Sequence, residues 1–319
     1  MDKLNPLLAA CFVLAWAWIG GGWCAEEQAK DRPWQDTFEL DKCTHLTTGK
    51  NRFFILEPGY QIVLASKTVQ VFITVLQETV KINGIETRVI EEREFGNGKL
   101  KEVSRNFYTI CKEHGDVFYH GEDVDDYEDG KVVGHGGTWR AGVDGARAGL
   151  MMPGKTAVGL RHYQEIAPKV AMDRAEIVED DVTLEAPGKK YTHCLKVLET
   201  TPLEATKSIK LYAPEVGLVF DDGMVIVDRG SDRTPPKGPI EVKADVGGAY
   251  AEVEVSKKDM PEAVAEVVGK LHPKGEIREI KRETRADGQT VYALEILVGG
   301  EQYDLEVTPE GKVLRNKKE

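Results

Sequence analysis

The chain has no GxSxG, HExxH or CxxC pattern, so the serine-hydrolase, zinc-protease and thioredoxin-like chemistries each lack their starting residues. Basic residues are also in short supply, with 42 Lys and Arg against 54 Asp and Glu and a formal net charge of -12. Nucleic acids and anionic membrane surfaces reward clustered Lys and Arg, so neither is an expected partner. Beyond residue 25 no apolar run approaches the roughly 20 residues that span a bilayer as a helix, and no transmembrane segment is expected after signal cleavage. Cysteine is scarce, at positions 11, 24, 43, 111 and 194 only.

What is present begins with a secretory layout over residues 1–25. Lys3 precedes an apolar stretch from Leu7 to Ile19 and the small-residue run Gly20-Gly21-Gly22. That stretch is too short to anchor, so cleavage and a periplasmic or extracellular location are expected. Lipid anchoring through Cys24 is the alternative, and the bulky Trp23 disfavours it, because a lipobox wants a small residue there. Export leaves Cys43, Cys111 and Cys194. An oxidising compartment predicts one disulfide and one free thiol among them, and the sequence leaves the three pairings open. Each lies near a histidine (His45, His114, His193), but no pair has a known zinc spacing.

Two parts are expected on either side of a linker at 230–239, where Gly230, Pro235, Pro236, Gly238 and Pro239 punctuate a stretch with no apolar period. Upstream, residues 26–229 read as β-rich. Tyr60 to Ser66, Thr68 to Leu76, Thr87 to Glu94, Tyr191 to Thr200 and Ser208 to Tyr212 are short runs of β-branched and aromatic residues. Hairpin turns are expected at Asn83-Gly84, Asn97-Gly98 and Asp129-Gly130. The fold class is mainly β: a curved antiparallel sheet or open barrel, with an α+β tail over residues 240–319. In the tail, Asp259 and Glu262 have capping-box spacing, and Val264, Val267, Val268 and Leu271 recur at helical intervals until Pro273 and Gly275. Three strands follow, turning at Asp287-Gly288 and Gly299-Gly300 and ending at Pro309-Glu310-Gly311.

The segment DGQTVYALEILVGGEQYDLEVTPEGKVL, with the helix before it, resembles the PepSY and PepSY-like domains of exported bacterial proteins, a group similar to β-lactamase inhibitor proteins. The resemblance covers about the last 70 residues and rests on turn glycines and alternating apolar positions. It implies a small module of protease propeptides and envelope proteins without catalytic residues of its own. The phrases GEDVDDYEDGKVV, AGVDGARAGLMMP and YAPEVGLV resemble a β-rich family of uncharacterised exported bacterial proteins, a likeness that brings no activity with it.

Three motifs invite sharper chemistry. Gly149 to Thr156 matches GxxxxGK[ST] literally, with Lys155 and Thr156 in the phosphate and magnesium positions and Asp228 as a conceivable metal acid. A working P-loop needs a buried strand before it and a helix after it, yet Gly142 to Ala148 does not read as a strand and Gly159 interrupts any helix. The acidic run from Gly121 to Gly130 suggests calcium, but Tyr127 and Gly136 stand where an EF-hand needs ligands, and a solvated hairpin is the better reading. His114, His120, His135 and His162 share one region without a diagnostic partner spacing. The glycine-rich stretch from Gly134 to Gly154 reads as a long loop, and any site is sought there, at Trp139, Arg140, Asp144 and Met151.

No catalytic, cofactor-binding or metal-ligating residue is assigned, and no cofactor is expected. The expected function is that of an exported, non-catalytic binding or regulatory protein of the cell envelope, with a protease or another envelope protein as the candidate target of modulation. The alternative is a carrier that holds a small apolar ligand or lipid in its curved sheet. A nucleotide- or metal-dependent enzyme ranks below both.

Overall fold

Alternating strands broken by Asn-Gly and Asp-Gly pairs build hairpin upon hairpin. The computed structural model describes residues 33–242, 246, 250–285 and 289–319. The expected signal segment, Cys11, Cys24 and the turn at Asp287-Gly288 lie outside the described residues. Three two-residue strands, β1 (His45–Leu46), β2 (Lys50–Asn51) and β3 (Phe54–Ile55), come first. They lead into β4 (Gln61–Ala65), β5 (Val69–Ile82), β6 (Ile85–Gly96), β7 (Lys99–Cys111) and β8 (Val117–Glu128), which pair in sequence order. Both residues of Asn83-Gly84 (φ 45° and 85°) and of Asn97-Gly98 (49° and 80°) have positive φ, as a two-residue type I′ turn requires.

Strands β9 (Lys131–Gly134), β10 (Trp139–Arg140) and β11 (Arg147–Met152) all return against β8. After β12 (Arg161–Tyr163) and β13 (Glu165–Ile166) comes a second meander: β14 (Arg174–Ala186), β15 (Lys189–Thr200), β16 (Lys207–Ala213), β17 (Gly217–Asp221) and β18 (Met224–Gly230). Strand β18 pairs with β4 and joins the two meanders. At the far side β11 pairs with β13 while β12 pairs with β14, so the short segment 161–166 bridges the remaining gap. The product is a nearly closed, curved antiparallel sheet.

The stretch from Gly134 to Gly154 corrects the expectation of a long loop, because β10 and β11 form within it. Among its glycines, Gly149 and Gly154 answer to backbone crowding. A Cβ on Gly149 would stand 2.2 Å from the Gln164 carbonyl oxygen, and one on Gly154 would stand 1.8 Å from that of His114. Only a residue without a side chain lets these backbones approach so closely.

The tail comprises β19 (Tyr250–Glu254), α1 (Glu262–Leu271), β20 (Glu276–Arg285), β21 (Thr290–Val298), β22 (Glu301–Val307) and β23 (Val313–Lys318). Val264 and Val268 of α1 pack on Ile280, Tyr292, Leu294, Ile296, Leu305 and Val307. The expected capping box does not form: Asp259 lies in a 3₁₀ turn (Lys257–Asp259), where it accepts from Ser256 Oγ at 2.5 Å, and Pro261 occupies the N-cap. Strand β19 pairs with β14 as well as β20, so the tail's sheet continues the barrel's. The expected linker is itself hydrogen-bonded to the barrel. Arg233 N donates to Gly59 O at 2.9 Å, Gln61 Nε2 to Thr234 O at 3.2 Å, and Arg93 Nη1 to Pro236 O at 3.3 Å. Among the described residues no helix is long and apolar enough to cross a membrane.

Gly149→Ala and Gly154→Ala should each lower stability by about 1–3 kcal/mol or more in urea unfolding, the cost of forcing an added group into filled space. Gly238→Ala, with nothing within 4 Å of the added methyl, should leave the midpoint unchanged.

Candidate functional site

Strand alternation points every second side chain of the curved sheet toward its interior. Side chains from β3, β4, β5, β6, β7, β11, β16 and β17 line one interior cleft of about 630 Å³, counting the open space at its mouth. Its walls are apolar: Ile62, Ile73, Val75 and Ile90 on the long strands, with Phe54, Tyr60 and Leu218 at the rim. Several of these, including Phe54, Tyr60, Ile73, Met151 and Leu218, remain only half-buried.

A second, more open recess, about 600 Å³ counting the space at its mouth, adjoins the first and shares Glu92, Tyr108, Met151 and Lys210 with it. It is polar. Strand β7 contributes Glu102, Ser104, Asn106 and Tyr108 at every second position. Glu122 from β8, Gln164 and Glu165 near β13, Asp173 and Glu199 complete the lining. Tyr108 and Tyr119 stack at 4.6 Å between ring centroids, and Tyr119 donates its hydroxyl to Asn106 Oδ1. Lys210 is the one cation of this lining. Its ammonium lies 2.8 Å from Glu199 and 3.8 Å from Asp221, while Gln164 Nε2 donates to Glu199 at 2.9 Å. Tyr212, only 2% exposed, ends in a hydroxyl without a hydrogen-bond partner.

Crowding of carboxyls in this interior raises their proton affinity. Burial, reinforced by Asp221, Glu102 and Glu199 against the pull of Lys210, lifts Glu92 to about 7. Burial likewise lifts Glu122 to about 7 and holds Glu165 well above the usual carboxylate range. Burial pulls the Lys210 ammonium down, but Asp221 and Glu199 more than offset it, and the group stays charged. Glu92 and Glu122 keep some accessible surface despite their depth, because the cavity itself is what they face.

The motifs of the sequence fall elsewhere. Gly149 to Met152 is the body of β11, and Pro153 to Leu160 turns back into β12, so no helix follows Lys155-Thr156 and the P-loop geometry is not formed. The acidic run is the β8–β9 hairpin, turning at Asp129-Gly130 (φ 47° and 76°). Its alternate members face apart: Glu122 lines the polar chamber, whereas Asp123 pairs with Arg140 and Asp125 with His135 at 2.9 Å. Of the four residues sought in the glycine-rich stretch, Met151 alone reaches the lumen. Trp139, Arg140 and Asp144 line a separate shallow cleft with Val143 and Val170.

Cys43 and Cys111 form the disulfide, and Cys194 is the buried free thiol, its pKa pushed up to about 12 by burial. His114 Nε2 lies 3.3 Å from Cys43 Sγ and 3.0 Å from Cys111 Sγ, and its other nitrogen faces Asp116 at 3.1 Å. In the disulfide neither sulfur is the thiolate that a soft metal requires. The other histidines differ in their surroundings, and His162 Nδ1 has no hydrogen-bond partner among the described residues. His120 is buried against Thr109 Oγ1 at 2.8 Å, and burial lowers its pKa to about 3; burial also lowers that of His162 to about 4. The lumen carboxyls escaped notice in the sequence because they sit singly on six different segments; only the polar alternation Glu102, Ser104, Asn106 along β7 was there to be seen. No family model matches the chain, and no curated protein matches it.

The raised carboxyls set a pH dependence. A carboxyl whose folded pKa exceeds its unfolded one contributes stability that is full below about 4.5 and is lost as pH rises through about 7. Buried neutral His120 and His162 act in the opposite sense, losing stability as pH falls from 6.5 toward 3–4. Above pH 6.5 only the carboxyls contribute, so the Tm of the empty protein should fall between about pH 6.5 and 8. In Glu92→Gln/Glu122→Gln that fall should be much shallower, as differential scanning fluorimetry across pH would record.

Proposed function

We propose that this is an exported, non-catalytic binding protein whose barrel takes the apolar part of a small molecule or lipid into its interior. The observation that carries this reading is the open cleft lined by half-buried Phe54, Tyr60, Ile73 and Leu218. Half-buried apolar side chains facing a cavity remain in contact with water until something covers them, and a ligand that does so gains about 25 cal/mol for each Å² removed from water. The Cys43–Cys111 disulfide supports an oxidising compartment and hence the periplasmic or extracellular location. Any protein partner, such as an envelope protease, is assigned to the carboxy-terminal helix-and-sheet module, on its resemblance to PepSY domains.

The neutral fluorophore N-phenyl-1-naphthylamine tests the reading directly. Its emission should rise and shift to shorter wavelength on mixing with the protein, and Leu218→Trp, which fills the cleft, should weaken binding about tenfold or more with an unchanged circular dichroism spectrum. A fluorescence increase that Leu218→Trp and Ile73→Trp both leave intact would place the dye elsewhere and overturn the proposal.

A further inference from the structure

The two chambers differ in character yet share a boundary, and that junction says what kind of molecule fits. The apolar chamber meets the polar one at Glu92, Tyr108, Met151 and Lys210. Beyond the junction the charges do not balance. Lys210 is engaged by Glu199 and Asp221, and no second cation belongs to the lining. The side-chain carboxyls of Glu92 and Glu165 make no hydrogen bond or close ion pair among the described residues, and that of Glu122 has only the Tyr119 hydroxyl beside it. An isolated buried carboxylate is costly, so in the empty barrel such groups take up protons instead.

Tyr212 supplies a separate observation. Its side chain is 98% buried by the complement of its 2% exposure, it lines the apolar chamber beside Lys210, Glu92 and Asp221, and its hydroxyl has no partner. Buried hydroxyls are ordinarily hydrogen-bonded, and the exceptions call for a missing group. Here Glu92 belongs to both linings, Tyr212 to the apolar one and Glu122 and Glu165 to the polar one, so the unpaired oxygen and the unpaired carboxyls lie on either side of one shared boundary.

We propose that the ligand is a cationic amphiphile: an apolar chain or ring system seated among Ile62, Ile73, Val75 and Leu218, ending in a primary or secondary ammonium held by Glu92, Glu122 and the Tyr212 hydroxyl. An ammonium offers several N–H donors and no acceptor, which suits ionised carboxylates, acceptors without donors of their own, and the acceptor side of the Tyr212 hydroxyl. Anionic amphiphiles are disfavoured by the same surplus of carboxyls. This inference rests on the reading of the lumen as a ligand site and adds the chemistry of the head group.

Three probes of one chain length separate the two claims: decylamine, decanol and decanoate, each below its micelle concentration, titrated at pH 8 by displacement of N-phenyl-1-naphthylamine and by calorimetry. Decylamine should bind about tenfold or more tighter than decanol, the factor that one charge-assisted hydrogen bond supplies, and decanoate should be weakest. Glu92→Gln/Glu122→Gln should remove the preference for the amine while leaving decanol affinity within about threefold. Tyr212→Phe, which keeps the ring and its packing, should weaken decylamine and leave decanol unaffected. Equal affinity for decylamine and decanol, or tighter binding of decanoate, would overturn the inference while the apolar site stands. Failure of all three probes together with the fluorophore would instead remove the site itself.

Discussion

Closure of the sheet through residues 161–166 is the constraint on which everything else rests. Ten long or medium strands form two meanders, joined on one side by β18 against β4. On the other side there is no long strand left to close the ring, only β12 on β14 and β13 on β11. That closure needs backbone to approach backbone at Gly149, where any side chain would meet the Gln164 carbonyl. Once closed, the sheet has an inside. Residues that alternate along an open sheet and would meet solvent are then gathered in a shared interior, and it is this gathering that sets Glu92, Glu122, Glu165 and Glu199 close enough to perturb one another.

Much of the architecture was legible because it depends on local rules. Asn83-Gly84, Asn97-Gly98 and Asp129-Gly130 each adopt the paired positive φ that type I′ turns demand and that Asn-Gly and Asp-Gly readily supply. The helical spacing of Val264 and Val268 likewise declared α1. What escaped was non-local. The glycines between Gly134 and Gly154 carry the same composition whether they loosen a loop or admit a close crossing, and only the position of Gln164 and His114 in space decides between them. The lumen is hidden for a similar reason: a lone glutamate in a strand looks like a solvent-facing residue until the sheet curls around it.

The tail shows how far local and long-range order are joined in this chain. Strand β14 is shared, pairing with β15 and β12 in the barrel and with β19 of the tail. Arg282 of β20 also forms an ion pair with Glu179 of β14, which Lys196 of β15 approaches at 3.2 Å. A strand edge that would otherwise present unpaired amides and carbonyls is thereby covered by the chain's own next module, the usual means by which β-proteins avoid edge-to-edge association.

The Cys43–Cys111 disulfide joins the start of the described strands to the end of β7 across a sequence separation of 68 residues. Mechanically it is a shunt. Tension entering from the amino-terminal side passes through the covalent bridge directly to the end of β7, and the hairpins of β4, β5 and β6 lie in a loop that bears none of it. A pull on the segment ahead of Cys43 therefore leaves β4, β5 and β6 outside the covalent load path, while the strain falls on β8 and the strands that follow.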